Sequence, residues 1–236
     1  MKKIIILILL FLILPININA FTTSAECAIL MDQNSKRIMY EKNIHKVKSV
    51  ASISKIMTSV IALESDKLND VVVVDDEVLK AYGSAIYIKI GEKMSLLDLV
   101  YGLMLRSGND AALVIAKHVS GNVDDFVELM NKKANEIGMK NTVFNNPSGL
   151  DNEKGNYSTA YDMAVLASYA MENEMYQKIT NTKKHVVKTN MNVYAWTNKN
   201  KLLSLYKYAT GGKTGFTEIA KRTLVTTASK DELDLV

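Results

Sequence analysis

Ser52 and Lys55 stand three residues apart at the start of the most apolar helical stretch of the chain, "ASISKIMTSVIALES" (51–65). At i and i+3 of a helix two side chains share one face, with Cβ atoms about 5–6 Å apart. A serine hydroxyl needs a base to become a nucleophile, and a desolvated lysine can lose its proton and act as that base. A helix cap at Ser52, with the stem of Lys55 snorkelling to water, explains the same pair. Ser204 and Lys207 repeat the spacing in "LLSLYKYATGG", too close to the glycines to open a long helix, so spacing alone decides nothing.

Two more groups have chemistry in them. Ser107-Gly108-Asn109, in "RSGNDAA", offers a hydroxyl that can pass protons and an amide that can hydrogen-bond a peptide. A capping turn accounts for it equally well. Ser120-Gly121-Asn122 has the same form between two helical stretches, where a glycine stop and a following cap suffice. "GGKTGFT" (211–217) contains the only Lys-Thr-Gly of the chain, at Lys213, Thr214 and Gly215. Glycine lets a backbone approach a ligand closely, Lys213 supplies positive charge, Thr214 a hydroxyl, and the N–H of Phe216 a donor for an oxyanion. A Gly-rich turn leading into a strand is the plainer reading.

The elements that must position these groups follow from periodicity. "ECAILMD" (26–32) and "RIMYEK" (37–42) flank a turn-rich "QNSK" and predict an N-terminal hairpin. "TLVTTAS" (223–229), a charged turn at Lys230–Glu232 and "LDLV" predict a matching one at the other end. Between them, helices are predicted from Ile53 to Leu63, over 95–105 with Ser95 as cap, over 110–119, over 123–139 with Asp124 and Asp125 in the first turn, and over 158–172 with Ser158 as cap. Strands at both ends with helices between predict an α+β fold: one antiparallel sheet built from both chain ends, flanked by helices, with a mainly helical middle.

Composition narrows the class. "MKKIIILILLFLILPININA" has the lysines, apolar run and small terminal residue of a secretory signal, so residues 1–20 are expected to be a signal peptide and 21–236 one domain. Beyond residue 20 there are 27 basic and 25 acidic side chains, a net +2, which gives no reason to expect nucleic acid as a partner. The lone Cys27 excludes an internal disulfide. His45, His118 and His185 lack ligand spacing, so no metal and no cofactor is expected.

S-x-x-K, S-x-N and K-T-G in this order form the signature of penicillin-binding proteins and class A β-lactamases. With "GLMLRSGNDAALVIA", "MKNTVFNNPSGLD", "YSTAYDMA" and "KTGFTEIAKRTLV", the chain resembles the serine D-alanyl-D-alanine carboxypeptidases, the low-molecular-mass penicillin-binding proteins, from about residue 24 onward. The resemblance implies a β-lactamase/transpeptidase-like fold and a peptidoglycan stem peptide ending in D-Ala-D-Ala as substrate, with β-lactams as covalent inhibitors. It implies Ser52 as nucleophile, Lys55 as general base and Ser107 as proton relay. Asn109 would hold the substrate amide, Lys213 and Thr214 its carboxylate, and the N–H groups of Ser52 and Phe216 the oxyanion, beside Gly215. It further implies an exported protein acting at the outer face of the bacterial membrane, with membrane association in a full-length form only.

Three positions depart from that pattern. Asn156 replaces a common histidine, Lys221 replaces a common glycine, and the strand, helix and β-rich domain that usually follow are expected to be missing after Val236. The alternatives are a class A-like β-lactamase, for which Glu153 is the one acid to consider as deacylation base, and an inactive truncated fragment.

Overall fold

A computed structural model describes residues 22–151 and 154–236. The signal peptide expected over 1–20, and Glu153, lie outside them. In chain order the elements begin with the hairpin β1 (Ala28–Met31) and β2 (Ile38–Lys42), then β3 (Lys48–Ser49). A 3₁₀ turn (Ala51–Ser54) leads into α1 (Lys55–Glu64), followed by β4 (Val71–Val73) and β5 (Lys93–Ser95). The middle holds α2 (Leu96–Arg106), α3 (Asn109–Ser120) and α4 (Val123–Glu136), then β6 (Tyr157–Ser158), α5 (Ala160–Ala170) and α6 (Glu174–Asn181). The chain continues through β7 (Lys184–Lys188), β8 (Val193–Thr197), α7 (Leu202–Leu205), β9 (Ala209–Thr217), β10 (Lys221–Lys230) and β11 (Leu233–Leu235).

The two chain ends do build one antiparallel sheet. β9, β10 and β11 pair in that order. The backbones of Met31 and Val236 then exchange hydrogen bonds of 2.8 and 2.9 Å, and Asp32 bridges Leu235, which joins β11 to the β1–β2 hairpin. The order across the sheet is therefore β2-β1-β11-β10-β9, with α5 packed on β1 and β10 and α6 on β9. Lys221 takes a left-handed φ of 59° at the turn between β9 and β10. That is a conformation glycine adopts at no steric cost, whereas a lysine there is strained by about 1–2 kcal/mol.

α1 is buried from Lys55 through Leu63, on every side, because α2, α3, α4, α5 and α6 all pack against it. A helix apolar all round belongs at the centre of a core. Caps set the neighbouring helices: Ser95 accepts from Asp98 N–H at the start of α2, and Asn122 from Asp125 N–H at the start of α4. The last predicted helix is corrected by one cap. Ser158 lies in β6, and Thr159, not Ser158, accepts the N–H of Asp162 to begin α5. α4 stops at Glu136 and not at Met139, because Gly138 turns the chain with a φ of 87°. Lys-Thr-Gly lies within the long strand β9 and not in a turn ahead of a strand.

Candidate active site

The chain brings the three polar groups to one place. Ser52 sits in the 3₁₀ turn, half-buried, one residue after Ala51, whose φ of 51° is left-handed. Lys55 is the first residue of α1 and has no exposed surface. Its Nζ contacts Ser52 Oγ at 3.2 Å, donates to Asn109 Oδ1 at 2.7 Å and donates to the carbonyl of Ser148. Two of these partners can only accept. A neutral amine has two protons, which those acceptors use, and the remaining lone pair then faces the one partner able to donate, the Ser52 hydroxyl.

Electrostatics favours that neutral form. Burial, then the ammonium of Lys213, drives the Lys55 amine well below the ordinary lysine range, and Lys199 adds to the shift. Lys55 forms no ion pair with a described carboxylate, although a buried lysine is normally paired. Lys213 is itself buried, donates among the described residues only to the carbonyl of Thr214 at 2.7 Å, and is pushed down to about 7 by burial and by Lys199. Lys199, lowered by burial and by Arg106, completes a group of cations that favours an anionic ligand.

β9 passes the 3₁₀ turn closely. A Cβ added at Gly215 would stand 2.4 Å from Thr223 Oγ1 and 2.9 Å from the backbone N of Ser52, so glycine is what permits the approach. Thr223 donates to the carbonyl of Val50 at 3.0 Å and ties β10 to the entry of the same turn. Thr214 and Gly215 are half-buried and Phe216 is exposed, so this end of β9 is open to a ligand.

Ser107 ends α2 in a left-handed conformation, φ 65°, and is 5% exposed; its hydroxyl makes no hydrogen bond to a described residue. Asn109 opens α3 and accepts from Lys55 at its Oδ1, while its Nδ2 donates to the carbonyl of Tyr82 at 2.6 Å. One Nδ2 proton is left for a ligand, so Asn109 holds the lysine as well as facing the site. The two control motifs behave as their settings predict. Ser204 and Lys207 are exposed, and Asn122 caps α4 after a glycine stop at Gly121.

Sequence reasoning missed the loop that holds Lys55 in place. Asn156, fully buried, accepts from the N–H groups of Asn145 and Asn146 at 2.7 and 3.1 Å and donates to the Asn146 carbonyl at 2.8 Å. Asn146 Oδ1 in turn accepts from the N–H groups of Ser148, Gly149 and Leu150. The carbonyl of Ser148 is thus aimed at Lys55 from a fastened loop. Asp151 closes the same loop onto both walls of the site, accepting from Ser49 Oγ at 2.6 Å and from Thr217 Oγ1. No group of three or more His, Cys, Asp or Glu able to hold a metal occurs among the described residues.

The chain is similar to known proteins in sequence and in fold. The family model described as D-alanyl-D-alanine carboxypeptidase matches residues 16–236. The D-alanyl-D-alanine carboxypeptidase DacF of Bacillus subtilis (strain 168) is 36% identical over 215 residues, covering 89% of this chain and 55% of the relative. DacB2 of Mycobacterium tuberculosis is 33% identical over 213 residues, covering 90% and 73%. This chain therefore spans about half the length of several curated relatives it matches. Among solved structures, a D-alanyl-D-alanine carboxypeptidase from Mycobacterium tuberculosis H37Rv superposes with a TM-score of 0.86 at 33% identity, over 89% of this chain and 80% of that one. A mutant of Streptomyces K15 DD-transpeptidase gives 0.86 at 30% identity, over 91% and 89%. On the family match over residues 16–236 and the identity to these carboxypeptidases, the chain belongs to the D-alanyl-D-alanine carboxypeptidase family.

Proposed function

We propose that this protein is a serine carboxypeptidase that removes the terminal D-alanine from peptidoglycan stem pentapeptides through an acyl-enzyme on Ser52. The observation that carries this reading is the amine of Lys55: fully buried, without an ion pair to a described carboxylate, and in contact with the Ser52 hydroxyl. Lys55 takes the Ser52 proton as Oγ attacks the penultimate carbonyl carbon. The N–H groups of Ser52 and Phe216 bind the resulting oxyanion, and the terminal carboxylate sits against Lys213 and Thr214. The C–N bond then breaks, and the leaving D-alanine amine takes a proton passed through Ser107. Water, deprotonated by the same route, cleaves the ester and frees Ser52. A β-lactam imitates the D-Ala-D-Ala end and acylates Ser52 without ready release. The substrate places the work outside the cytoplasm, in keeping with the export expected from the N-terminal sequence.

The test is labelling with a fluorescent penicillin together with D-alanine release from a peptide ending in D-Ala-D-Ala. Wild-type protein is expected to do both and Ser52→Ala neither. Labelling that persists in Ser52→Ala would remove Ser52 as the nucleophile. Rapid nitrocefin turnover without D-alanine release would instead favour the β-lactamase reading.

Charge on Lys213 sets the pH dependence. kcat/KM follows the free enzyme, which needs Lys55 neutral and Lys213 protonated to meet a carboxylate. With Lys213 at about 7, kcat/KM is expected to decline as pH rises through that value. Lys213→Arg keeps the charge at all working pH values and is expected to move the alkaline limb up by about two units or more. An identical limb in that variant would show that another group controls it.

A further inference from the structure

Acidic residues are unevenly placed along this chain. From Met175 to Thr217 there is no Asp or Glu but there are eight lysines, whereas the remainder beyond residue 20 has 19 basic against 25 acidic side chains. The acid-free stretch begins at the second residue of α6, continues through β7, β8, α7 and β9, and so includes Lys213 of the site. None of its lysines forms an ion pair with a described carboxylate.

The β7–β8 hairpin sorts its side chains by face. Val187 and Trp196 are buried, and His185 contacts Asp98 Oδ1 at 2.9 Å. Lys184, Val186 and Lys188 are turned outward opposite Thr197, Ala195 and Val193, all of them exposed. Exposed Lys93 adjoins the hairpin tip, where its N–H donates to Asn190 Oδ1 at 2.7 Å. The nearby acid Glu92 is fully buried and occupied by the Lys89 N–H and the hydroxyls of Thr189 and Tyr194. It offers these lysines no counter-charge at the surface.

The base of this hairpin adjoins the site: Lys184 pairs with Thr197 there, and Lys199, two residues further on, donates to Ser84 Oγ at 3.3 Å and is close enough to Lys213 to act on its amine. Segment 82–91 is fastened at Tyr82 by Asn109, at Ser84 by Lys199, at Tyr87 by Tyr194 and at Gly91 by Asn190. A polymer whose end lies at Lys213 therefore has the base of a lysine-bearing hairpin near it.

We infer that the outward face of the β7–β8 hairpin docks the carboxylate-bearing peptides of polymeric peptidoglycan that neighbour the one being cut. The inference rests on the proposed carboxypeptidase activity. Lys184, Lys188 and Lys93 meet carboxylates, while Val186 and Val193 cover alkyl parts of the peptides. A polymer presents many such groups, so individually weak contacts combine. Positive potential beside the cleft also raises the encounter rate with an anionic substrate, in a salt-dependent way.

The test compares wild type with Lys184→Glu/Lys188→Glu, two exposed positions whose change leaves the core intact. Insoluble peptidoglycan stripped of attached anionic polymers is used for co-sedimentation at low and high salt, and for D-alanine release. Wild type is expected to bind at low salt and to be released at high salt. The variant is expected to bind about tenfold more weakly, with kcat/KM on the polymer reduced about as much. Its penicillin acylation and its cleavage of a short diacylated D-Ala-D-Ala peptide should stay within about twofold of wild type. Equal binding of variant and wild type to stripped wall would overturn the inference. So would binding confined to unstripped wall or to phosphatidylglycerol vesicles, which would assign the face to phosphate-bearing polymers or to a membrane. If wild type releases no D-alanine from any substrate, the activity reading fails, and co-sedimentation still decides the docking face.

Discussion

Lys55→Ala is expected to slow penicillin acylation of Ser52 by about 10³–10⁴-fold, among the largest effects of any single side chain outside Ser52 itself. The reason is local. Among the described residues Lys55 Nζ is the one basic atom bonded to the Ser52 hydroxyl, and its two other partners, Asn109 Oδ1 and the Ser148 carbonyl, accept hydrogen bonds from it but are amide oxygens too weakly basic to replace it. Lys55→Arg should fail as badly, because a guanidinium keeps its proton at working pH. Lys207→Ala, in the exposed copy of the motif, should acylate at the wild-type rate. The measurement is the second-order rate of label incorporation by stopped time points, with circular dichroism to show that each variant is folded. Acylation within about tenfold of wild type in Lys55→Ala would mean that another group deprotonates Ser52.

Burial of Lys55 and Lys213 also has a thermodynamic consequence with a definite sign. Both amines sit below the ordinary lysine range in the folded protein. Between the folded and unfolded pKa values the unfolded chain binds the proton and the folded one does not, so stability rises with pH there. For Lys213 that window runs from about 7 to the ordinary lysine value of about 10.4, at about 1.4 kcal/mol per pH unit. A site that holds two uncompensated lysines is therefore least favourable to folding at neutral and acid pH, and function is what retains it.

Much of this arrangement is legible in the sequence, and the parts that are not have physical reasons. The terminal hairpins alternate and have turn residues between them, so the shared sheet can be read from both ends. The middle helices have caps of the expected type, and only Ser158 falls one residue early, since Ser158 and Thr159 are both competent caps and β6 takes the first. The hairpin β7–β8 escapes a sequence reading because its outward face mixes Lys184, Lys188 and Thr197 with Val186, Val193 and Ala195, which erases the polar–apolar alternation of a half-buried strand. β9 reads as a turn because Gly211, Gly212 and Gly215 lower strand propensity. Their reason is tertiary: an added Cβ would meet Thr180 at Gly211, the Val225 carbonyl at Gly212, and Thr223 and Ser52 at Gly215. Least legible is the Ser148 carbonyl. A backbone atom has no residue signature, and its aim depends on Asn146, which alone reads as an ordinary loop asparagine, and on Asn156, which the sequence marks only as a departure from the family pattern.

Gly149→Ala is expected to abolish most acylation, by about 100-fold or more, although Gly149 carries no functional group. Its φ of 78° is left-handed, and an added Cβ would lie 2.0 Å from the Ala51 carbonyl oxygen, 2.5 Å from its carbon and 3.0 Å from the Ser52 nitrogen. No flexible side chain can give way, because all three are backbone atoms. Either the loop withdraws, taking the Ser148 carbonyl off Lys55, or the Ala51–Ser52 peptide shifts and moves both Oγ and the N–H that would hold the oxyanion. Each alternative misplaces the reacting groups by the order of an ångström. Strain of this kind also lowers stability, by about 2–4 kcal/mol, so unfolding must be separated from misplacement. Gly121→Ala provides the control: its φ of 89° is equally left-handed, but nothing lies within 4 Å of the added Cβ. That variant should lose about 1 kcal/mol and label at the wild-type rate. Gly149→Ala measured well below its own melting temperature should remain folded and label slowly. If it labels as fast as Gly121→Ala, the loop is not what positions Ser52 and Lys55, and the positioning role of the Asn146–Asn156 hub falls with it.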